Sequence, residues 1–138
     1  MTDYSFALQT ALYQALTSPV ISGVQSVRDT PNTTPSPEDF PFIHIGETQA
    51  VPDDADKSGS GGDEGSSEFV ELHVWSRYRG QREAKLIVAE IHTRLHQAAL
   101  TVPGRVSALC WVRNKQVFTD TDGMTQHGIA SLEIIHRS

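Results

Sequence analysis

The chain has 138 residues, 11 of them basic and 17 acidic, for a net charge of −6. That length fits one domain over residues 1–138 with a core of its own, and the acidic balance excludes a general polyanion binder. The single cysteine, Cys110, excludes an intrachain disulfide, and no apolar run approaches the roughly 18 residues that span a bilayer. The N-terminus lacks a basic segment followed by an apolar one, so the expectation is a soluble, unsecreted protein without a membrane partner.

In chain order, residues 3–17 place Tyr4, Leu8, Ala11, Leu12, Ala15 and Leu16 at helical spacing, with Asp3 as cap and Pro19 as stop. The run 23–30 is a candidate first strand. Residues 31–41 hold four prolines and predict an extended connection. Residues 42–50 alternate Phe42 and His44 against Ile43 and Ile45, as a strand does. Residues 51–66, VPDDADKSGSGGDEGS, then set five acids (Asp53, Asp54, Asp56, Asp63, Glu64) against one lysine. Their Gly, Ser and Asp content supports no core, so they are expected to form a long mobile loop.

The strand 68–78 places Val70, Leu72 and Val74 on one face and Phe69, Glu71, His73 and Trp75 on the other. Residues 81–99 predict a helix with a stripe of Ala84, Ile87, Val88, Ile91, Leu95 and Ala98, stopped by Pro103-Gly104. The run 105–120 alternates Val106, Ala108, Cys110 and Val112 against Leu109 and Trp111. After the turn 120-DTDG-123, residues 127–137 predict a last strand paired with it as a hairpin. Two amphipathic helices and four or five strands predict an α+β fold: a two-layer domain with a mainly antiparallel sheet, both helices on one face, and the 51–66 loop as a hairpin tip.

Catalytic signals are weak. The chain has no Gly-x-Ser-x-Gly elbow, no Walker loop and no His-Glu-x-x-His, and the glycines of 59–65 do not join a strand to a helix. Cys110 reads as a small buried hydrophobe. The stretch 54-DADKSG-59 copies the first half of a calcium loop, but its position twelve is Gly65 instead of a bidentate Glu. His92 and His96 lie one helical turn apart with no third ligand nearby. The expectation is no enzyme, no cofactor and no resident metal. The corner 73-HVWSRYRGQREAK-85 interleaves arginines with Trp75 and Tyr78. It reads as a nucleic-acid surface, a strand-to-helix joint or a subunit contact. Overall acidity and the lack of an RNA-recognition signature weigh against the first.

Four stretches in order, 8-LQTALYQAL-16, 40-FPFIHIGE-47, 73-HVWSRYRGQREAK-85 and 122-DGMTQHGIASLEI-134, resemble tail-terminator and tail-completion (head-to-tail joining) proteins of long-tailed phages and gene transfer agents. The resemblance covers nearly the whole chain except the acidic loop. Gly80, Asp122, Gly123, His127 and Gly128 are its turn-motif residues. It implies a small α+β protein in a homohexameric ring that caps the tail tube, ends its polymerisation and meets the neck. The implied partners are the major tail tube protein and a neck or stopper protein, with assembly in the host cytoplasm and a place in the particle neck. DNA would pass through the channel without specific binding. Trp75, Arg77, Tyr78 and Arg79 become candidate subunit or neck contacts. The loop acids Asp53, Asp54, Asp56, Asp63 and Glu64 become a candidate lining that repels phosphate, with weak divalent-cation dependence of assembly. The alternatives are a joining protein of the same fold at another neck position and a small ligand-binding or regulatory α+β domain.

Overall fold

The computed structural model describes residues 4–52, 65–105 and 107–137. The expected cap Asp3, the inward-facing Val106, the calcium-like stretch and the five loop acids lie outside the described residues.

Among the described residues, nine elements follow one another: α1 (Ser5–Thr17), β1 (Ser26–Arg28), a 3-10 turn (Pro37–Asp39), β2 (Phe42–Pro52), β3 (Ser66–Ser76), α2 (Arg82–Leu95), β4 (Ala98–Ala99), β5 (Ser107–Thr119) and β6 (Gln126–Arg137). The six strands form one sheet in the order β1-β2-β3-β6-β5-β4. β1 pairs with β2 in parallel and every other pair is antiparallel. The α+β expectation is borne out, and so is the β5–β6 hairpin. There Gly123 takes φ 70, and its N–H donates to the Asp120 carbonyl at 2.9 Å. β2 and β3 pair out to Pro52↔Ser66 as a long hairpin.

Period-two alternation decides what each strand buries. Ile43 and Ile45 of β2, Val70, Leu72 and Val74 of β3, Ala108, Cys110 and Val112 of β5, and Ala130, Leu132 and Ile134 of β6 point to one face. Leu8, Ala11, Leu12 and Leu16 of α1 and Ile87, Val88, Ile91 and Leu95 of α2 close over that face in the same core. Burying each large side chain stabilises the fold by about 1.5–3 kcal/mol, so these stripes fix the two-layer arrangement.

Three expectations are corrected. The second helix stops at Leu95, not at residue 99. Gln97 takes φ 60, and the His96 ring Nδ1 accepts the Val112 N–H at 3.1 Å, which ties the chain to β5. Ala98 therefore belongs to β4, opposite Cys110, instead of the helix stripe. The candidate first strand shrinks to three residues that pair in parallel with Phe42, Ile43 and His44. The 31–41 connection is not wholly extended: Asp39 accepts from Ser36 N at 2.9 Å and from Asn32 Nδ2 at 3.2 Å, which winds the 3-10 turn.

One end of the core is polar. Glu68 and His136, 2% and 3% exposed, face the helices near the loop end of the β2–β3 hairpin. The Ser5 hydroxyl donates to Glu68, and Arg105 donates from Nε to His136 Nδ1 at 3.0 Å. The arginine so fixes Nδ1 as the acceptor and leaves the ring proton on Nε2. Ser5 thereby ties the start of α1 to β3, and Arg105 ties the β4–β5 connection to the end of β6, through part-buried hydrogen bonds that are costly to leave unmade.

Candidate functional site

The corner after β3 is built by a short relay of hydrogen bonds. Ser76, fully buried at the end of β3, donates to Glu83 Oε1 at 2.7 Å and accepts the Tyr78 N–H at 3.1 Å. This fastens the strand end to the first turn of α2, where the Glu83 carboxylate also faces the positive end of the helix dipole. Gly80 turns the chain with φ 83, and an added Cβ there would meet nothing within 4 Å. The left-handed backbone, not crowding, is what asks for glycine.

Arg77 is held in place. Its guanidinium lies 4.4 Å above the Phe40 ring and its Nε donates to Thr125 Oγ1 at 3.2 Å. Thr125 in turn donates to Asp122 Oδ2 at 2.6 Å, while Asp122 Oδ1 accepts the N–H groups of Met124 and Thr125 at 2.8 Å each. Those bonds, from the Thr125 side chain first, hold the Asp122 carboxyl down at about 2. The β5–β6 turn and the corner are thus one hydrogen-bonded unit. Tyr78 and Arg79 stay outside it and are exposed.

Beside the corner, on the sheet face away from the helices, a row of rings crosses four strands. Trp75 stacks on His127 with centroids 3.8 Å apart and planes 13° apart, and Phe118 lies 4.9 Å from the same imidazole. His73 Nδ1 and His127 Nε2 are 2.8 Å apart, so one proton is shared between them. His44 stacks behind His73 at 5.8 Å. Burial lowers the proton affinity of both paired rings, that of His127 to about 4. Phe40 covers Phe42, which is therefore buried on this nominally outer face. A cleft of about 210 Å³ opens among Phe40, Phe42, His44, Trp75, Arg77 and Asp122.

The family model described as Tail completion protein gp17 matches residues 10–137. The chain belongs to the tail completion protein gp17 family. The Tail completion protein gp17 of Bacillus phage SPP1 is 30% identical over 131 residues, which is 91% of this chain and 88% of that one. A solved chain from the virion of a native gene transfer agent particle shares the fold, with a TM-score of 0.79, 19% identity and full coverage of both chains. The resemblance read from the four sequence stretches is borne out at the level of the family, and a structural role in tail completion comes with it.

In this tail completion protein, three of the four family-like stretches meet around the cleft. Phe40, Phe42 and His44 come from one, Trp75 and Arg77 from the second, and Asp122 and Thr125 from the third. The fourth, residues 8–16, packs on the opposite side of the sheet. His127 and Gly128 sit inside β6, beyond the turn that holds Asp122 and Gly123. Sequence reading missed the imidazole row. Its signal, a histidine on the outward phase of each of three strands, appears only once β3 is placed between β2 and β6.

His92 and His96 stack on each other at 4.6 Å, and His96 spends its Nδ1 on Val112. Cys110 is fully buried, and burial pushes its thiol up to about 12. Ellman's reagent at pH 8 is therefore expected to leave the native protein unlabelled for hours and to titrate one thiol after denaturation in urea. Rapid labelling of the native chain would contradict this placement.

Proposed function

We propose that this tail completion protein closes into a ring of six copies at the head-proximal end of a phage-type tail. The ring caps the tail tube, ends its polymerisation and joins it to the neck or stopper protein. DNA passes through the central channel without specific binding. Family membership over residues 10–137 carries this reading. The role is geometric rather than catalytic, in keeping with a thiol that is buried and a histidine pair whose His73 Nδ1 and His127 Nε2 are spent on each other.

Arg77 supports the joint, whereas the exposed Tyr78 and Arg79 contact a neighbouring subunit or the neck. Val51, Pro52 and Ser66 pair within β2 and β3, so the acidic stretch that lines the channel narrows to residues 53–65, and about 24 negative charges from six copies repel the phosphate backbone. Magnesium screens those charges and assists closure weakly, without a resident metal. Native mass spectrometry with and without magnesium, and negative-stain images of the protein added to tails that lack it, test the reading. The expected result is a hexamer with a central hole and tubes of fixed length. Tubes that keep growing in its presence would refute it. Arg79→Ala with Tyr78→Ala should weaken attachment and leave the far-UV spectrum unchanged.

A further inference from the structure

The two edges of the sheet are each capped over only part of their length. β1 covers β2 at Phe42, Ile43 and His44 alone. β4 covers β5 at Leu109 and Cys110 alone. Beyond these caps, and beyond Val112, whose N–H is given to His96, residues 45–52 and 113–119 have no strand neighbour on their outer side among the described residues. From Glu47 to Pro52 the chain is exposed throughout, as are Arg113–Gln116, Phe118 and Thr119. Unpaired N–H and C=O groups along such edges are templates for another strand.

Charge distinguishes the two edges. β2 carries Glu47 and no lysine or arginine, whereas β5 carries Arg113 and Lys115 and no acid. Pairing β5 with a second β5 would bring four cations together, and pairing β2 with β2 would oppose the two glutamates. Like charges across a strand pair are destabilising and opposite ones are favourable. The basic side chains thus weigh against a β5–β5 pair and favour an acidic edge, with Arg113 partly neutralised by Glu133 Oε1 of its own β6 at 2.9 Å.

Polarity and position agree with this. Three antiparallel steps separate β2 from β5, so the two run in opposite directions and would meet antiparallel in a head-to-tail repeat. The free half of β2 lies toward Pro52 and Ser66, and that of β5 toward Thr119 and Gln126, diagonally across the sheet. Bringing them together slides each copy along the strand direction relative to the last, the stagger that accompanies strand tilt in closed sheets. A β-bulge opens each free half, between Ile45 and Thr48 and between Val112 and Asn114, and bends it away from the capped half.

We propose that β2 of one copy and β5 of the next pair antiparallel across each seam, so that the partner seated on each free edge is a second copy of this chain. The proposal rests on the ring reading above. A heterologous contact of this kind repeats until it closes, and closure leaves no free edge.

Hydrogen exchange read by mass spectrometry on wild-type monomer and assembled ring tests it without any substitution. Outward-facing amides in residues 45–52 and 113–119 should slow by about tenfold or more on assembly. Rings that close with both segments exchanging as fast as in the monomer would overturn the seam and leave the ring reading standing. A wild-type chain that closes no ring, on tails as well as in solution, would instead remove the ring reading and the seam with it. As a second arm, Glu47→Lys should reduce ring yield several-fold, because it sets a lysine against the basic β5 edge. Full assembly of that variant would count against the seam.

Discussion

Gly128→Ala should cost about 2 kcal/mol and lower the Tm by roughly 8 °C, although it adds a single methyl group. Gly128 sits in β6 between Val74 of β3 and Val117 of β5, on the face beneath α2. A Cβ built there would lie 2.8 Å from Val88 Cγ2 and 3.3 Å from Val74 Cβ. Val88 and Val74 are 5% and 0% exposed, so neither has empty space to yield into. The helix must rise or Val88 must leave its rotamer. Either loosens the packing that also holds Ile87 and Ile91 on the sheet. An ordinary glycine-to-alanine change in a strand would instead favour folding slightly, through the unfolded chain. Urea unfolding distinguishes the two, because a midpoint at or above wild type would refute the close approach. Val88→Ala in the same chain removes the clashing methyl, so the double variant should be less destabilised than the sum of the singles.

Stability should fall by on the order of 1–2 kcal/mol between pH 6.5 and about pH 4. The physical cause is the imidazole row and the buried end of the core. Burial first and the neighbouring His73 second lower the proton affinity of His127 to about 4, against a smaller opposing pull from Asp120. His73 is lowered by burial, with Glu71 and Glu47 opposing and His44 adding to the shift. His136 is lowered by burial and by Arg105. Each folded-state value thus lies below the unfolded one near 6.5. The unfolded chain binds more protons in this window, so stability is full above about pH 6.5 and is lost as pH falls toward 4. Partial exposure of His73 and His127 to water keeps the loss below the full conversion of the shift. Protonating both members of the pair would also set two N–H groups face to face across 2.8 Å. Asp39 and Asp122, held below 3.8, act only under pH 4 and leave the window clear. Urea midpoints at pH 7 and pH 4.5 measure the effect, and His127→Gln should flatten the slope. Equal stability at the two pH values would rule the mechanism out.

The first expectation comes from the face under the helices and the second, His136 apart, from the opposite face of the same sheet, and the two faces divide the labour of the fold. The face under the helices supplies the core, and a glycine there sets how closely α2 can approach. The face away from them carries the aromatic and imidazole row, the cleft and the corner. Arg77 illustrates the difference between composition and role. Its neighbours in sequence suggested a contact for a partner, yet its guanidinium is already spent on Phe40 and Thr125. Arg79, two residues on, is exposed.

What the sequence determined by itself was everything carried by local periodicity. Alternation in 42–50, 68–78, 105–120 and 127–137 located the four long strands and the faces they bury. The 3.6-residue stripe of 81–99 located α2, and Asp122-Gly123 located the hairpin turn. The four family-like stretches determined the family. Only the tertiary structure decided which strands are neighbours, because pairing brings together residues far apart in the chain through backbone groups that every sequence shares. It ended α2 at Leu95 by spending His96 on Val112, and turned Ala98 into an edge strand. It set His44, His73 and His127 in one row, tethered Arg77, and buried Glu68 with His136. It also left half of β2 and half of β5 uncovered, since the length of an open edge depends on where its neighbour stops.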